Sequence, residues 1–127
     1  MNNYSFREMN INDYYCLQAL WRRTPGLGLS DVDSRERIQT FLKRNPGLCY
    51  VCQDGERLIG TILCGHDERR GYIYHLAVDE TYRKRGLGRQ LTQMSLDALR
   101  CQGIAKCHLF VYNDNEGAEL FYDRMGW

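Results

Sequence analysis

Apolar positions along the chain change their period, and the changes mark the elements. Tyr4-Ser5-Phe6-Arg7 alternates and predicts a short strand. From Ile11 to Trp21 the apolar residues Ile11, Tyr14, Tyr15, Leu17, Leu20 and Trp21 fall into a helical stripe. Pro25, Gly26 and Gly28 break the pattern, so Thr24 to Asp33 reads as a loop. A second helix is expected from Ser34 to Arg44, with Asp33 and Glu36 spaced as a capping box and Ile38, Phe41 and Leu42 inward. Alternation and strand formers then take over. Leu48 to Gln53 and Arg57 to Cys64 flank the turn dipeptide Asp54-Gly55. A charged turn over Asp67 to Gly71 leads to the apolar strand Tyr72 to Val78. Gly86 to Arg100 returns to helical spacing through Leu87, Leu91, Met94, Ala98 and Leu99, and Gly103 is the expected stop. Lys106 to Tyr112 reads as a strand and Gly117 to Met125 as a last short helix.

This order implies three antiparallel strands, then a helical crossover to a parallel one. The expected class is α/β in the α+β sense: a mixed, mainly antiparallel sheet flanked by helices. At 127 residues and 14.9 kDa the chain is expected to form one domain over residues 1–127.

Charge and composition narrow the chemistry. Seventeen Lys and Arg against sixteen Asp and Glu leave a net charge of +1, so any electrostatic site must be a local cluster. A nucleic-acid partner is therefore not expected. No apolar run approaches the ~20 residues of a membrane span, so no membrane partner is expected either. The polar start Met1-Asn2-Asn3-Tyr4-Ser5 and the modest content of six cysteines fit a cytoplasmic chain with reduced thiols. Cys49 and Cys52 lie three apart on a strand, so they should face opposite sides of the sheet. No second Cys or His pair completes a zinc set, and no metal is expected.

The stretch with most chemical content is Val78-Asp79-Glu80-Thr81-Tyr82-Arg83-Lys84-Arg85-Gly86-Leu87-Gly88-Arg89. It leaves a strand, turns and opens a helix. The first amides of a helix lack internal partners, and the helix dipole favours an anion there. Arg83, Lys84, Arg85 and Arg89 add positive charge, so the turn reads as a pyrophosphate cradle. The spacing is not that of a Walker loop, and Leu91 stands where a dinucleotide fingerprint has its third glycine.

A second constellation follows the last strand: Asn115-x-x-Ala118-x-x-Phe121-Tyr122-x-x-x-Gly126-Trp127. Together with Leu76-Ala77-Val78 and Arg83-x-x-Gly86-x-Gly88 it resembles the GNAT superfamily of N-acetyltransferases over about residues 48 to 127. The resemblance implies acetyl-CoA as co-substrate. It implies that Leu76, Ala77 and Val78 pair with the pantetheine arm, and that a bulge there frees an amide to polarise the thioester carbonyl. Lys84, Arg85, Gly86, Leu87, Gly88 and Arg89 would hold the pyrophosphate, with charge from Arg83. Asn115 would contact the cofactor, and Tyr122 would protonate the departing thiolate. Some relatives place a glutamate base where this chain has Phe110. His75, beside the cofactor strand, then becomes the catalytic alternative, against the reading of a hydrogen-bonded sheet histidine. Glu80 could act through water or only cap its turn. His66 and His108 have no positional support, and Cys64 and Cys107 read as sheet packing.

The implied activity moves an acetyl group from acetyl-CoA to a primary amine, of a small molecule or a protein, by direct attack in a ternary complex. The alternative is a catalytically silent CoA-binding sensor or regulatory module of the same fold. RNA binding through Arg83 to Arg89 is a third reading, disfavoured by the balanced charge. The acceptor would sit near Trp21 to Asp33, with Tyr14, Trp21, Asp31 and Asp33 as lining. The chain ends at Gly126-Trp127, where relatives usually continue into one or two more strands, so the sheet is expected to lack its C-terminal strands. The uncovered edge would favour a homodimer.

Overall fold

The structure, a computed structural model, describes residues 4–109. Five strands form one sheet in the order β1-β2-β3-β4-β5: Tyr4–Glu8, Tyr50–Asp54, Arg57–His66, Gly71–Val78 and Cys107–Leu109. All neighbours are antiparallel except β4 and β5, which run parallel. That pair is joined by the crossover helix α3, Leu87–Cys101. Helices α1, Tyr14–Arg22, and α2, Arg35–Arg44, precede β2. The expected strand over Lys106 to Tyr112 is described only at Cys107–Leu109, and the expected helix over Gly117 to Met125 lies outside the described residues.

The sheet separates two cores. On one face Leu17, Leu20 and Trp21 of α1 and Ile38 of α2 pack on Val51, Leu63 and Ala77. On the other, Leu87, Leu91 and Leu99 of α3 pack on Cys52, Ile59, Ile62 and Ile73. Cys49 belongs to the first core and Cys52 to the second, as their spacing on a strand requires. Helix α3 lies close enough that a Cβ on Gly71 would stand 2.5 Å from Leu99 Cδ1. Gly103 ends the helix at a φ of +85°, and the Ile104 amide returns to the Leu99 carbonyl at 2.9 Å.

The start of α2 differs from expectation by one residue. Ser34, not Asp33, caps the helix, its hydroxyl accepting from the Arg37 amide at 3.2 Å. Asp33 instead closes the preceding turn, Asp31–Asp33, by accepting from the Ser30 amide at 3.0 Å. Capping fits either residue type. The second carboxylate oxygen of Asp33 decides the matter, because it is drawn to β4.

Strand β4 is irregular where the site forms. Tyr74 pairs with Leu63 and Ala77 with Thr61, so His75 and Leu76 together oppose the single residue Ile62. This is a β-bulge. His75 carries it with a φ of +48°, a region that side chains other than glycine rarely occupy. The bulge resets the alternation. Tyr74 meets Phe41 and His75 meets Trp21, both in the α1–α2 layer, and Ala77 then rejoins the same core. Without the extra residue, Tyr74 and His75 would face opposite sides.

Two hydrogen bonds pin it. Thr61 Oγ1 donates to the His75 carbonyl at 3.0 Å, and Trp21 Nε1 donates to Thr61 Oγ1 at 2.9 Å. Thr61 and Trp21 are both fully buried. Thr61→Val keeps the shape but orphans the indole N–H and the His75 carbonyl, at about 1–3 kcal/mol for each group left unsatisfied. Urea unfolding should show that loss; stability within about 0.5 kcal/mol of wild type, the range of a neutral surface change, would mean the bonds do not hold the bulge.

Candidate active site

The chain leaves β4 through Asp79, and the site is built around that exit. The Asp79 amide donates to the Ile59 carbonyl at 2.7 Å. Its carboxylate accepts from the Thr81 amide at 3.1 Å and the Thr81 hydroxyl at 3.0 Å. The other oxygen takes Arg23, just past α1, at 2.8 Å and Arg57 of β3 at 3.3 Å. Burial opposes ionisation of this carboxyl, but the Arg23 and Thr81 hydrogen bonds outweigh it and hold the group down at about 2. Asp79 therefore ties α1, β3 and the turn Glu80–Tyr82 to the end of β4.

The next residues aim the start of α3. Lys84 and Gly86 take left-handed conformations, with φ of +64° and +80°. Gly86 is the N-cap residue and supplies no side-chain cap. A Cβ there would meet nothing within 4 Å, so the space beside Gly86 is open. The amides of Leu87, Gly88 and Arg89 lie in the first helical turn, where no intrahelical carbonyl reaches them. Uncapped amides, a helix dipole and the exposed side chains of Arg83, Lys84 and Arg89 form a donor set suited to a pyrophosphate. Arg83 also anchors the turn, its Nε donating to the Val78 carbonyl at 3.2 Å.

Arg85 is placed differently from the other cations. Its guanidinium donates to the Tyr4 hydroxyl and to the Thr81 carbonyl, and lies 5.2 Å from the centroid of the Tyr82 ring. The side chain thus braces the loop against β1 and the turn ahead of it.

Leu76, Ala77 and Val78 form the last part of β4, with Ala77 opposite Thr61 and Val78 opposite Gly60. Described β5 residues pair with Gly71, Tyr72 and Ile73 only. The β5-facing edge at Leu76–Val78 has no strand partner among the described residues.

His75 lies at the meeting point of four elements. Its Nε2 is 2.6 Å from Asp33 Oδ1, and its ring centroid is 4.7 Å from that of Trp21. Asp33 is held in turn by Tyr14, whose hydroxyl donates to the Asp33 carbonyl at 2.8 Å. Tyr14, Trp21 and Asp33, expected to line the acceptor site, do converge. Trp21 is not a lining residue, however. It is fully buried beneath His75 because its N–H serves Thr61. Asp31 stays exposed. Thr61 was not indicated by the sequence. A buried threonine in an apolar strand carries no local signal of its partners.

Burial pushes the thiols away from reactivity. Cys49 is raised to about 12 and Cys52 and Cys107 to about 11, and Cys64 is raised as well. At neutral pH none of these four is a thiolate nucleophile. His66 is tied up at the β3–β4 turn, with Nδ1 accepting from the Glu68 amide at 3.0 Å and Nε2 2.9 Å from Gln102 Oε1. The predicted site residues Asn115 and Tyr122, and Phe110, lie outside the described residues.

The profile of the acetyltransferase (GNAT) family matches residues 14–127. The chain belongs to this family. Its GNAT relatives include N-alpha-acetyltransferase 30 of Schizosaccharomyces pombe, 36% identical over 104 residues, covering 78% of this chain and 69% of that protein. Mycothiol acetyltransferase of Beutenbergia cavernae is 35% identical over 102 residues, covering 78% of this chain and 33% of that protein. Among solved structures, an N-acetyltransferase of Thermoplasma acidophilum in complex with coenzyme A superposes with a TM-score of 0.83 at 18% identity, covering 96% of this chain and 87% of that one. That likeness confirms the GNAT fold, with its mixed sheet between helices.

Asp79 makes a GNAT domain of this construction sensitive to acid. A carboxyl depressed in the folded state contributes stability above its unfolded value of about 3.9 and loses it as pH falls towards 2. Both arginines reach solvent, which screens the gain to about 1–2 kcal/mol. Wild type should therefore lose stability between pH 4 and pH 2 by more than Asp79→Asn does, measured by urea unfolding. Equal losses in both proteins would show that Asp79 contributes nothing.

Proposed function

We propose that this GNAT chain transfers an acetyl group from acetyl-CoA to a primary amine by direct attack in a ternary complex. One observation carries the reading. A bulged strand end and an uncapped, cation-flanked helix start lie on one continuous segment, from His75 to Arg89. In this reading the amides of Leu87 to Arg89 hold the pyrophosphate, and the backbone of Leu76 to Val78 pairs with the pantetheine arm. The amide released by the bulge polarises the thioester carbonyl, an oxyanion-type contribution of about 3–4 kcal/mol in other acyl transfers. His75 takes a proton from the amine. Asn115 contacts the co-substrate, and Tyr122 gives a proton to the departing thiolate. The buried thiols take no part, because the amine attacks directly.

The N-alpha-acetyltransferase relative favours a peptide α-amine as acceptor, and the mycothiol acetyltransferase relative keeps a small-molecule amine in view. Thiol release from acetyl-CoA tests the reading against a panel of tetrapeptides with free N-termini, the same peptides N-acetylated, and spermidine. Release that requires a free amine supports transfer. Saturable acetyl-CoA binding with no release on any amine would replace it with the silent CoA-binding module.

Gly86→Val tests the cradle. A side chain at φ +80° costs about 1–2 kcal/mol, so KM for acetyl-CoA should rise about tenfold with kcat little changed. An unchanged KM would move the pyrophosphate elsewhere.

A further inference from the structure

We infer that Asp33 is a positioning residue for His75, fixing the ring so that Nδ1 is the atom that accepts the amine proton. The inference rests on the transfer reading above and extends it to the loop ahead of α2. Asp33 Oδ1 and His75 Nε2 stand 2.6 Å apart, with side chains 9% and 15% exposed. A contact this short between a carboxylate and an imidazole is a charge-assisted hydrogen bond. The carboxylate only accepts, so it selects the tautomer with the proton on Nε2. The lone pair is then on Nδ1. Among the described residues Nδ1 has no hydrogen-bond partner.

Neither group is held only by the other. Asp33 Oδ2 accepts from the Ser30 amide at 3.0 Å, and its carbonyl accepts from Tyr14. The Tyr14 hydroxyl accepts from Gln18 Nε2 at 3.2 Å. His75 is packed on Trp21 and fixed through its carbonyl by Thr61. The groups facing His75 among the described residues are therefore the Asp33 carboxylate from the turn, the neutral Trp21 ring from α1 and the neutral Thr61 hydroxyl from β3. Asp33 is the one charge among them. A sheet histidine serving packing alone needs no bulge, and no left-handed conformation of its own, to turn it away from the opposite core. Here the bulge does so, at the residue that precedes Leu76, where the thioester is read to lie.

The proton balance is simple. The acceptor enters as an ammonium. His75 Nδ1 takes one proton, and the freed lone pair forms the bond to the acetyl carbon. The C–S bond breaks with its electron pair on sulfur. The nitrogen loses a second proton as the amide forms, and the thiolate gains one to leave as CoA thiol. One proton passes net to solvent through His75, whose ring Asp33 keeps oriented in the interval. No oxidant, reductant or metal enters.

The test compares wild type, Asp33→Asn and His75→Gln, with acetyl-CoA and the panel peptide that wild type acetylates fastest. His75→Gln keeps a donor for Asp33 but cannot titrate, and kcat should fall about 100-fold. Asp33→Asn should lower kcat at least about tenfold, as loss of the orienting carboxylate does in other histidine relays. KM for acetyl-CoA should stay unchanged in both. With kcat taken per folded enzyme, a purely structural Asp33 would leave it unchanged. An Asp33→Asn protein with wild-type kcat overturns the pair while leaving acetyl transfer intact. A wild type inactive on every amine overturns the transfer reading itself and, with it, the proton role. Imidazole nitrogen NMR of the ligand-free wild type gives a readout independent of any variant's folding. His75 protonated on Nε2 supports the pair, and His75 protonated on Nδ1 overturns it.

Discussion

The bulge in β4 is the constraint on which the site depends. A regular β4 would give His75 and Tyr74 to opposite faces and would leave no backbone group out of the ladder. One inserted residue changes both. It turns the histidine into the α1–α2 layer and disturbs the β3 pairing beside Leu76. That arrangement puts a non-glycine residue at a φ of +48°. Strain of this kind costs about 1–3 kcal/mol and persists only where its surroundings enforce it. The enforcing groups are Trp21 and Thr61, buried and mutually hydrogen-bonded, and Asp33 at the ring's Nε2. The N-terminal helices are thus part of the site, because they supply the groups that hold β4 out of regular geometry.

The second requirement is electrostatic. A chain of net charge +1 has no general attraction for a polyanion, so the attraction has to be local. It arises from helix amides that no side chain caps and from three cations that remain exposed around them. The fourth, Arg85, is diverted to Tyr4 and Tyr82, which stiffens the loop. Asp79 then fixes where the loop begins. One buried carboxylate joins α1 and β3 to the β4 exit and so ties the cradle's position to the same helix that buttresses the bulge.

Much of this arrangement was legible from residue order. Periodicity located the described helices and strands within a residue or two at most ends. The two cysteines at 49 and 52 faced apart as their spacing required. The glycine-flanked helix start was visible as chemistry, because its donors are backbone groups whose direction follows from the secondary structure. The contacts that tie Asp33, Trp21 and Thr61 to His75 were not, although Tyr14, Trp21 and Asp33 stood out together as acceptor lining. Asp33 is 42 positions away and sits before a helix, where its most economical local reading is a cap. Ser34, next to it, does that work. Trp21 has the same ambiguity: its helical face was evident, but its N–H partner lies 40 positions away on β3. Long-range polar partners leave no periodic trace, so they escape a reading based on local pattern.

The central claim is that the β4 bulge and the α3 start are two ends of one acetyl-CoA site. Backbone amide NMR during titration with CoA and then acetyl-CoA tests it most directly. Both ligands should shift the amides of Leu87, Gly88 and Arg89, with a further shift at Leu76 when the acetyl group is present. Saturable binding that leaves Leu87 to Arg89 and Leu76 unmoved would contradict the account.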